Sequence, residues 1–89
     1  MARKHLKYKD IDKLPTSAGV YFLYQQTTLV YIGKATNLRL RVPNYIQGKS
    51  FDLVGYEETY LARARQFESE LLQDYKEQHG VYPYYNRRG

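Results

Sequence analysis

Eighty-nine residues without a cysteine make one small domain with a modest core. A chain this short buries only about 60–65% of its unfolded surface, and neither a disulfide framework nor a thiolate zinc site can reinforce it. A mean hydropathy of −0.72 and no apolar run near the roughly 18 residues that span a bilayer exclude a transmembrane helix, and the basic start MARKHLKYKD leads into no apolar signal segment. The expectation is a single domain over residues 1–89, with 1–13 a flexible or helical lead-in, in the cytoplasm and with no membrane partner. Fourteen Lys and Arg against nine Asp and Glu leave a net charge of +5, which favours a polyanionic partner because each neutralised phosphate releases counterions. The eleven tyrosines must supply much of the buried area.

Residues 1–18 are polar and basic, with scattered apolar positions. A solvated lead-in with Leu14 tucked against the core fits them, or a short helix ending before Pro15. His5 has no second ligand at metal spacing and reads as a surface histidine. From Gly19 to Tyr24 (GVYFLY) and from Thr28 to Gly33 (TLVYIG), β-branched and aromatic residues predict two strands. Gln25, Gln26 and Thr27 form the turn between them. Pairing Tyr24 with Thr28 places Tyr21 opposite Tyr31, with both rings on one sheet face.

After Gly33 the period changes. Leu38, Arg41, Val42 and Tyr45 fall at i, i+3, i+4 and i+7, one stripe of a helix that Thr36 or Asn37 can cap. Arg41 on that stripe needs an anionic partner, since burying an unpaired charge costs several kcal/mol. Arg39 points elsewhere and reads as a solvated charge. Pro43 is expected to break the helix, because a proline inside one costs about 3 kcal/mol.

Residues 46–52 are a loop by their Gly, Ser and Asp content, and residues 53–60 (LVGYEETY) a third strand. Adjacent Glu57 and Glu58 alternate across that strand and are expected to face solvent. The longest helix is predicted from Ala62 to Gln78, stopped by Gly80. Tyr60, Leu61, Ala64, Phe67, Leu71, Leu72 and Tyr75 form its apolar arc. Glu68 projects from within that arc, while the helix's other charges fall outside it. A carboxylate aimed at the core needs a cation, a strong donor or a proton. A buried pair with Arg41 and a metal site are equally open. The tail VYPYYNRRG is extended and aromatic, and His79 sits at the helix C-terminus.

The run LPTSAGVYFLYQQTTLVYIGKATNLRLRVPNY, with GVY and then YIG followed by GKATNLRLRV, resembles the GIY-YIG nuclease domain. It is most similar to that of the UvrC-type excision-repair endonucleases. A tyrosine four residues after the arginine, a helical glutamate and a tail ending in YN extend the resemblance from about Leu14 to Asn86. It implies an α+β fold, a small three-stranded antiparallel sheet flanked by α-helices. It implies that Tyr21, Tyr31, Arg41, Tyr45 and Glu68 are catalytic, that Glu68 holds one Mg²⁺ or Mn²⁺, and that Lys34, Arg41 and Asn86 meet the substrate.

Hydrolysis of a phosphodiester needs a positioned water, neutralisation of charge on the phosphate, and help for the departing 3′ oxygen. A metal on Glu68 suits the last and the fork of Arg41 the second. Tyr21, with Tyr31 beside it, is expected to activate or orient the water while Tyr45 supports the phosphate or shares that role, since a phenol, with an ordinary pKa of about 10, serves as a base when a cation such as Lys34 or a metal stands near it. The reading is a metal-dependent endonuclease acting on DNA in repair or recombination, with specificity supplied by a protein partner, by self-association or by further parts of a longer protein. A catalytically silent nucleic-acid-binding or interaction module on the same scaffold, and a structural α/β domain with core tyrosines, are the alternatives.

Overall fold

The computed structural model describes residues 3–45 and 48–87. The chain runs through β1 (Lys4–Lys7), a 3₁₀ segment (Tyr8–Lys13), β2 (Gly19–Gln25), β3 (Thr28–Ala35), α1 (Leu38–Tyr45), β4 (Leu53–Glu58), α2 (Leu61–His79) and a closing 3₁₀ turn (Tyr84–Asn86). The architecture is α+β, and the antiparallel sheet has four strands in the order β1-β4-β2-β3. The fourth strand is β1, where no strand is predicted. Its sequence KHLK lacks an alternating apolar pattern because three of its four residues are exposed. Main-chain pairing with β4, from Lys4↔Tyr56 to Lys7↔Leu53, holds it.

The β2–β3 turn is tighter than expected. Only Gln26 (φ 49) and Thr27 (φ 70) lie between the paired residues Gln25 and Thr28, and positive φ at both central residues suits the twist of the flanking strands. A β-branched residue pays about 1–2 kcal/mol for that conformation. The register then shifts between Leu23 and Tyr24, so that Tyr24 pairs with Leu29 but Leu23 with Tyr31, and Val30 is the extra residue of a bulge. Tyr21 therefore stands opposite Gly33 rather than opposite Tyr31. The bulge decides the site. Continued without it, the register set by the turn would pair Tyr31 with Phe22 and turn its ring to the far face from Tyr21.

Two cores result, one on each face of the sheet. Tyr21, Leu23, Val30, Ala35 and Val54 pack with Leu14, Leu38, Val42 and Phe51. Val20, Phe22 and Ile32 pack with Ala64 of α2, flanked by Phe67, Leu71 and Leu72. The Cβ of any residue at position 19 would collide with the Glu57 carbonyl oxygen, so the glycine of GVY lets β2 and β4 lie close. Glu57 is not solvated as expected. It is largely buried and pairs with Arg3 at 3.7 Å, whose guanidinium lies 3.6 Å over the Phe22 ring and donates to the Tyr24 hydroxyl at 2.6 Å. Glu58 is exposed and accepts from the Ser17 hydroxyl.

Helix α1 is capped by Asn37, whose Oδ1 accepts the Leu40 N–H at 3.1 Å. It runs through Pro43 to Tyr45 without the expected break. The proline forfeits one bond, to the Arg39 carbonyl, while the amide of Asn44 donates to the Leu40 carbonyl and the buried Leu38 and Val42 tie the helix to the sheet. Arg39 is held as well, its Nε donating to the Leu14 carbonyl at 2.6 Å. Helix α2 ends at Gly80, in the left-handed conformation (φ 80) with its N–H donating to the Lys76 carbonyl.

Candidate active site

Strand β3 is an edge strand, and the cleft wraps around that edge. Alternation along β3 sends Tyr31 to the face covered by α1 and Lys34 to the face covered by α2. One cleft of about 1090 Å³ takes in Tyr21, Tyr31, Lys34, Arg41, Glu68 and Asn86 together. The side chain of Tyr45, the last residue of α1, lies outside the described residues.

On the first face, the Tyr21 and Tyr31 rings are 5.8 Å apart and inclined at 43°. Tyr21 is 1% exposed and Tyr31 half-buried. Gly33 sits between them: a Cβ there would lie 2.6 Å from Tyr21 Cζ and 2.7 Å from Tyr31 Cε2. The glycine of YIG is thus required by the two tyrosines of the same motif, since any side chain would drive the rings apart. Arg41 reaches the cleft from the solvent-exposed flank of α1 and not from its buried stripe, which Leu38 and Val42 occupy. Lys49, in the loop after α1, places its ammonium 5.4 Å from the centre of the Tyr31 ring.

On the second face, Glu68 leans from α2 over the edge of β3, its side chain 17% exposed, and its Oε1 accepts from the Lys34 ammonium at 3.0 Å. Of the partners weighed for this carboxylate, a cation is present, and it is Lys34. Phe67, Leu71 and Leu72 around it pack on the sheet, so the apolar arc does aim Glu68 at the strand edge.

Asn86 joins the two faces. Its Oδ1 accepts the Ile32 N–H at 2.9 Å and its Nδ2 donates to the Ile32 carbonyl at 3.0 Å. One side chain thereby satisfies the outward main-chain groups of the edge strand midway between Tyr31 and Gly33, as a neighbouring strand would. Tyr85 anchors the same turn, packing on the first core and accepting the Ser50 N–H at 2.8 Å.

A family model of the UvrC-like GIY-YIG domain matches residues 17–77. The chain belongs to that family. UvrABC system protein C of Borrelia duttonii is 47% identical over 51 residues, which are 54% of this chain and 8% of that protein. Its counterpart from Prosthecochloris aestuarii is 41% identical over 61 residues, 61% of this chain and 10% of that protein. The chain therefore spans about a tenth of these curated relatives. Among solved structures, the GIY-YIG N-terminal endonuclease domain of UvrC from Thermotoga maritima bound to its catalytic magnesium is 26% identical. It covers 89% of this chain and 93% of that one, with a TM-score of 0.70.

Gln73, Lys76, Val81, Tyr82 and Arg87 of this GIY-YIG domain, to which no sequence motif assigns a role, also line the cleft. Their only signal in the sequence is Gly80, which turns the chain back along α2 after the helix stops. Among the described residues no cluster of three or more His, Asp or Glu side chains could enclose a metal ion, and no helix is long and apolar enough to cross a membrane.

Proposed function

We propose that this GIY-YIG domain is a metal-dependent endonuclease that hydrolyses DNA phosphodiester bonds, serving repair or recombination as part of a larger system that supplies specificity. The observation that supports it best is the composition of the cleft, where three phenols and the cations Lys34, Arg41, Lys76 and Arg87 surround Glu68, the single carboxylate among the described lining residues. Such a site attracts a polyanion and leaves one hard oxygen ligand within it.

That donor set fits a divalent cation. Mg²⁺ retains several waters and is commonly held by one or two carboxylates together with substrate phosphate, and Glu68 already faces a cation, the Lys34 ammonium, at 3.0 Å. Glu68 would hold Mg²⁺ or Mn²⁺, which when bound stabilises charge on the departing 3′ oxygen. Lys34 then turns from Glu68 toward the phosphate. Arg41 offers its planar fork to the non-bridging oxygens, and Tyr45, one turn further along α1, is assigned to the same phosphate.

The difference in burial divides the phenols. Tyr31, the more exposed, meets the attacking water and in its phenolate form, which a neighbouring cation favours, accepts its proton, while Tyr21 orders it from beneath. The water oxygen bonds to phosphorus, the P–O3′ bond breaks, the departing 3′ oxygen takes a proton from solvent, and the products carry a 5′-phosphate and a 3′-hydroxyl. Asn86, read from the sequence as a substrate contact, is given a positioning role because both ends of its amide are bonded to Ile32.

Nicking of supercoiled plasmid tests this. The chain should nick with Mg²⁺ or Mn²⁺ and not with EDTA, and Glu68→Gln should abolish nicking. Activity that survives EDTA or the substitution sinks the proposal. The Lys34–Glu68 ion pair favours one other reading, a silent DNA-binding module in which lysine permanently takes the metal's place. Retarded but unnicked plasmid would establish it.

A further inference from the structure

The cleft is larger than one phosphate and one cation need. From Glu68 it continues along the last turns of α2 to the tail, where Lys76, Tyr82 and Arg87 form its far half. The Lys76 ammonium lies 4.8 Å from the centre of the Tyr82 ring. Arg87 is tied down through Nε, which donates to the Tyr82 carbonyl at 3.0 Å, and its guanidinium lies 5.5 Å over the Tyr84 ring. Among the described residues neither Lys76 nor Arg87 is paired with a carboxylate.

The fold does not account for this arrangement. The tail is attached by Pro83, which is buried, by Tyr85 in the first core and by Asn86 on Ile32. Val81 and Tyr84, by contrast, are 44% and 63% exposed, and Tyr82 contributes its ring to the cleft wall. A half-buried ring, Tyr82, and an exposed one, Tyr84, interleaved with cations that pair with no carboxylate suit one kind of ligand well. Bases stack on the rings and phosphates meet the cations, as in surfaces that hold single-stranded nucleic acid. A base paired within a duplex keeps its faces inside the stack and cannot use such a ring.

Resting on the reading of the cleft as a nuclease site, we propose that Lys76, Tyr82 and Arg87 form a subsite for an unpaired nucleotide flanking the scissile phosphate. The base stacks on Tyr82, Lys76 moves from the ring to an adjacent phosphate, and Arg87 takes the next one. The substrate class is DNA that is single-stranded, frayed or gapped beside the cleaved bond.

The test separates binding from cleavage. The Glu68→Gln chain, without divalent metal, is titrated by fluorescence anisotropy with a labelled single-stranded oligonucleotide and with a duplex of the same length at one salt concentration. The single strand should bind more tightly. Adding Tyr82→Leu should weaken single-strand binding about tenfold and leave duplex binding unchanged, and adding Lys76→Gln should lower the salt dependence by about one phosphate contact. Equal affinity for the two DNAs, or single-strand affinity unmoved by both substitutions, overturns the subsite. Lys76 is exposed on α2, so Lys76→Gln decides the matter if Tyr82→Leu fails to fold. Plasmid nicking by the wild-type chain reports on the nuclease reading independently.

Discussion

On the face of the sheet covered by α1, the cleft is set in packed core: Tyr21 is 1% exposed, and Gly33 leaves room for no atom beyond the two rings. On the face covered by α2 it is set by charge at a rim, where the Lys34 and Glu68 side chains are 41% and 17% exposed. The first arrangement is rigid because moving a ring opens a cavity or a clash. The second is adjustable, because the lysine half of the pair is partly exposed and its long side chain is held by that one ion pair. A domain of this size thus fixes some groups of the cleft in its core and leaves others able to adjust at an edge. Strand β3 can serve both because, among the described residues, no strand lies beyond it.

This contrast can be broken from either side. Tyr31→Phe removes one hydroxyl from the half-buried phenol and should cost about 10²–10⁴-fold in nicking rate with an unchanged melting temperature. Tyr21→Phe should lower nicking less while also lowering the melting temperature, because its hydroxyl is buried. The reverse ranking in a paired assay would exchange the roles of the two tyrosines. Asn86→Ala strikes the seam between the faces and leaves the Ile32 main chain unsatisfied at the strand edge. It should destabilise the domain by about 1–3 kcal/mol in urea unfolding, whereas Glu68→Gln should move stability little. Equal unfolding midpoints for Asn86→Ala and the wild type would remove the clamp from the account.

The smallest effect is expected at the hairpin. Thr27→Gly should stabilise by about 1 kcal/mol, by relieving positive φ at a β-branched residue, and should leave nicking unchanged because the Val30 bulge, and not the turn, sets which way Tyr31 faces. Altered nicking would move that role to the turn.

Much of this was legible in the residues. Periodicity located α2 to within a residue at each end, and its apolar arc singled out Glu68, because helical spacing is a local property read over many positions. The GVY and YIG motifs placed Tyr21 and Tyr31 on one face, although by a different register from the one that forms. The bulge escaped notice because one extra residue in a strand leaves the composition unchanged. Strand β1 escaped because an edge strand held by main-chain bonds needs no apolar alternation, and Glu57 looked solvated because Arg3, its partner, lies 54 residues away in the chain.

What the sequence determined by itself is therefore most of the elements, the family and the chemical kinds of the candidate site residues, all of which follow from local patterns. The tertiary structure alone decided that Lys34 holds Glu68, that Asn86 bonds both main-chain groups of Ile32, and that Lys76, Tyr82 and Arg87 extend the cleft. Each of these depends on which long-range partner a flexible side chain or a returning tail finds at the edge of β3, and local spacing carries no record of that choice.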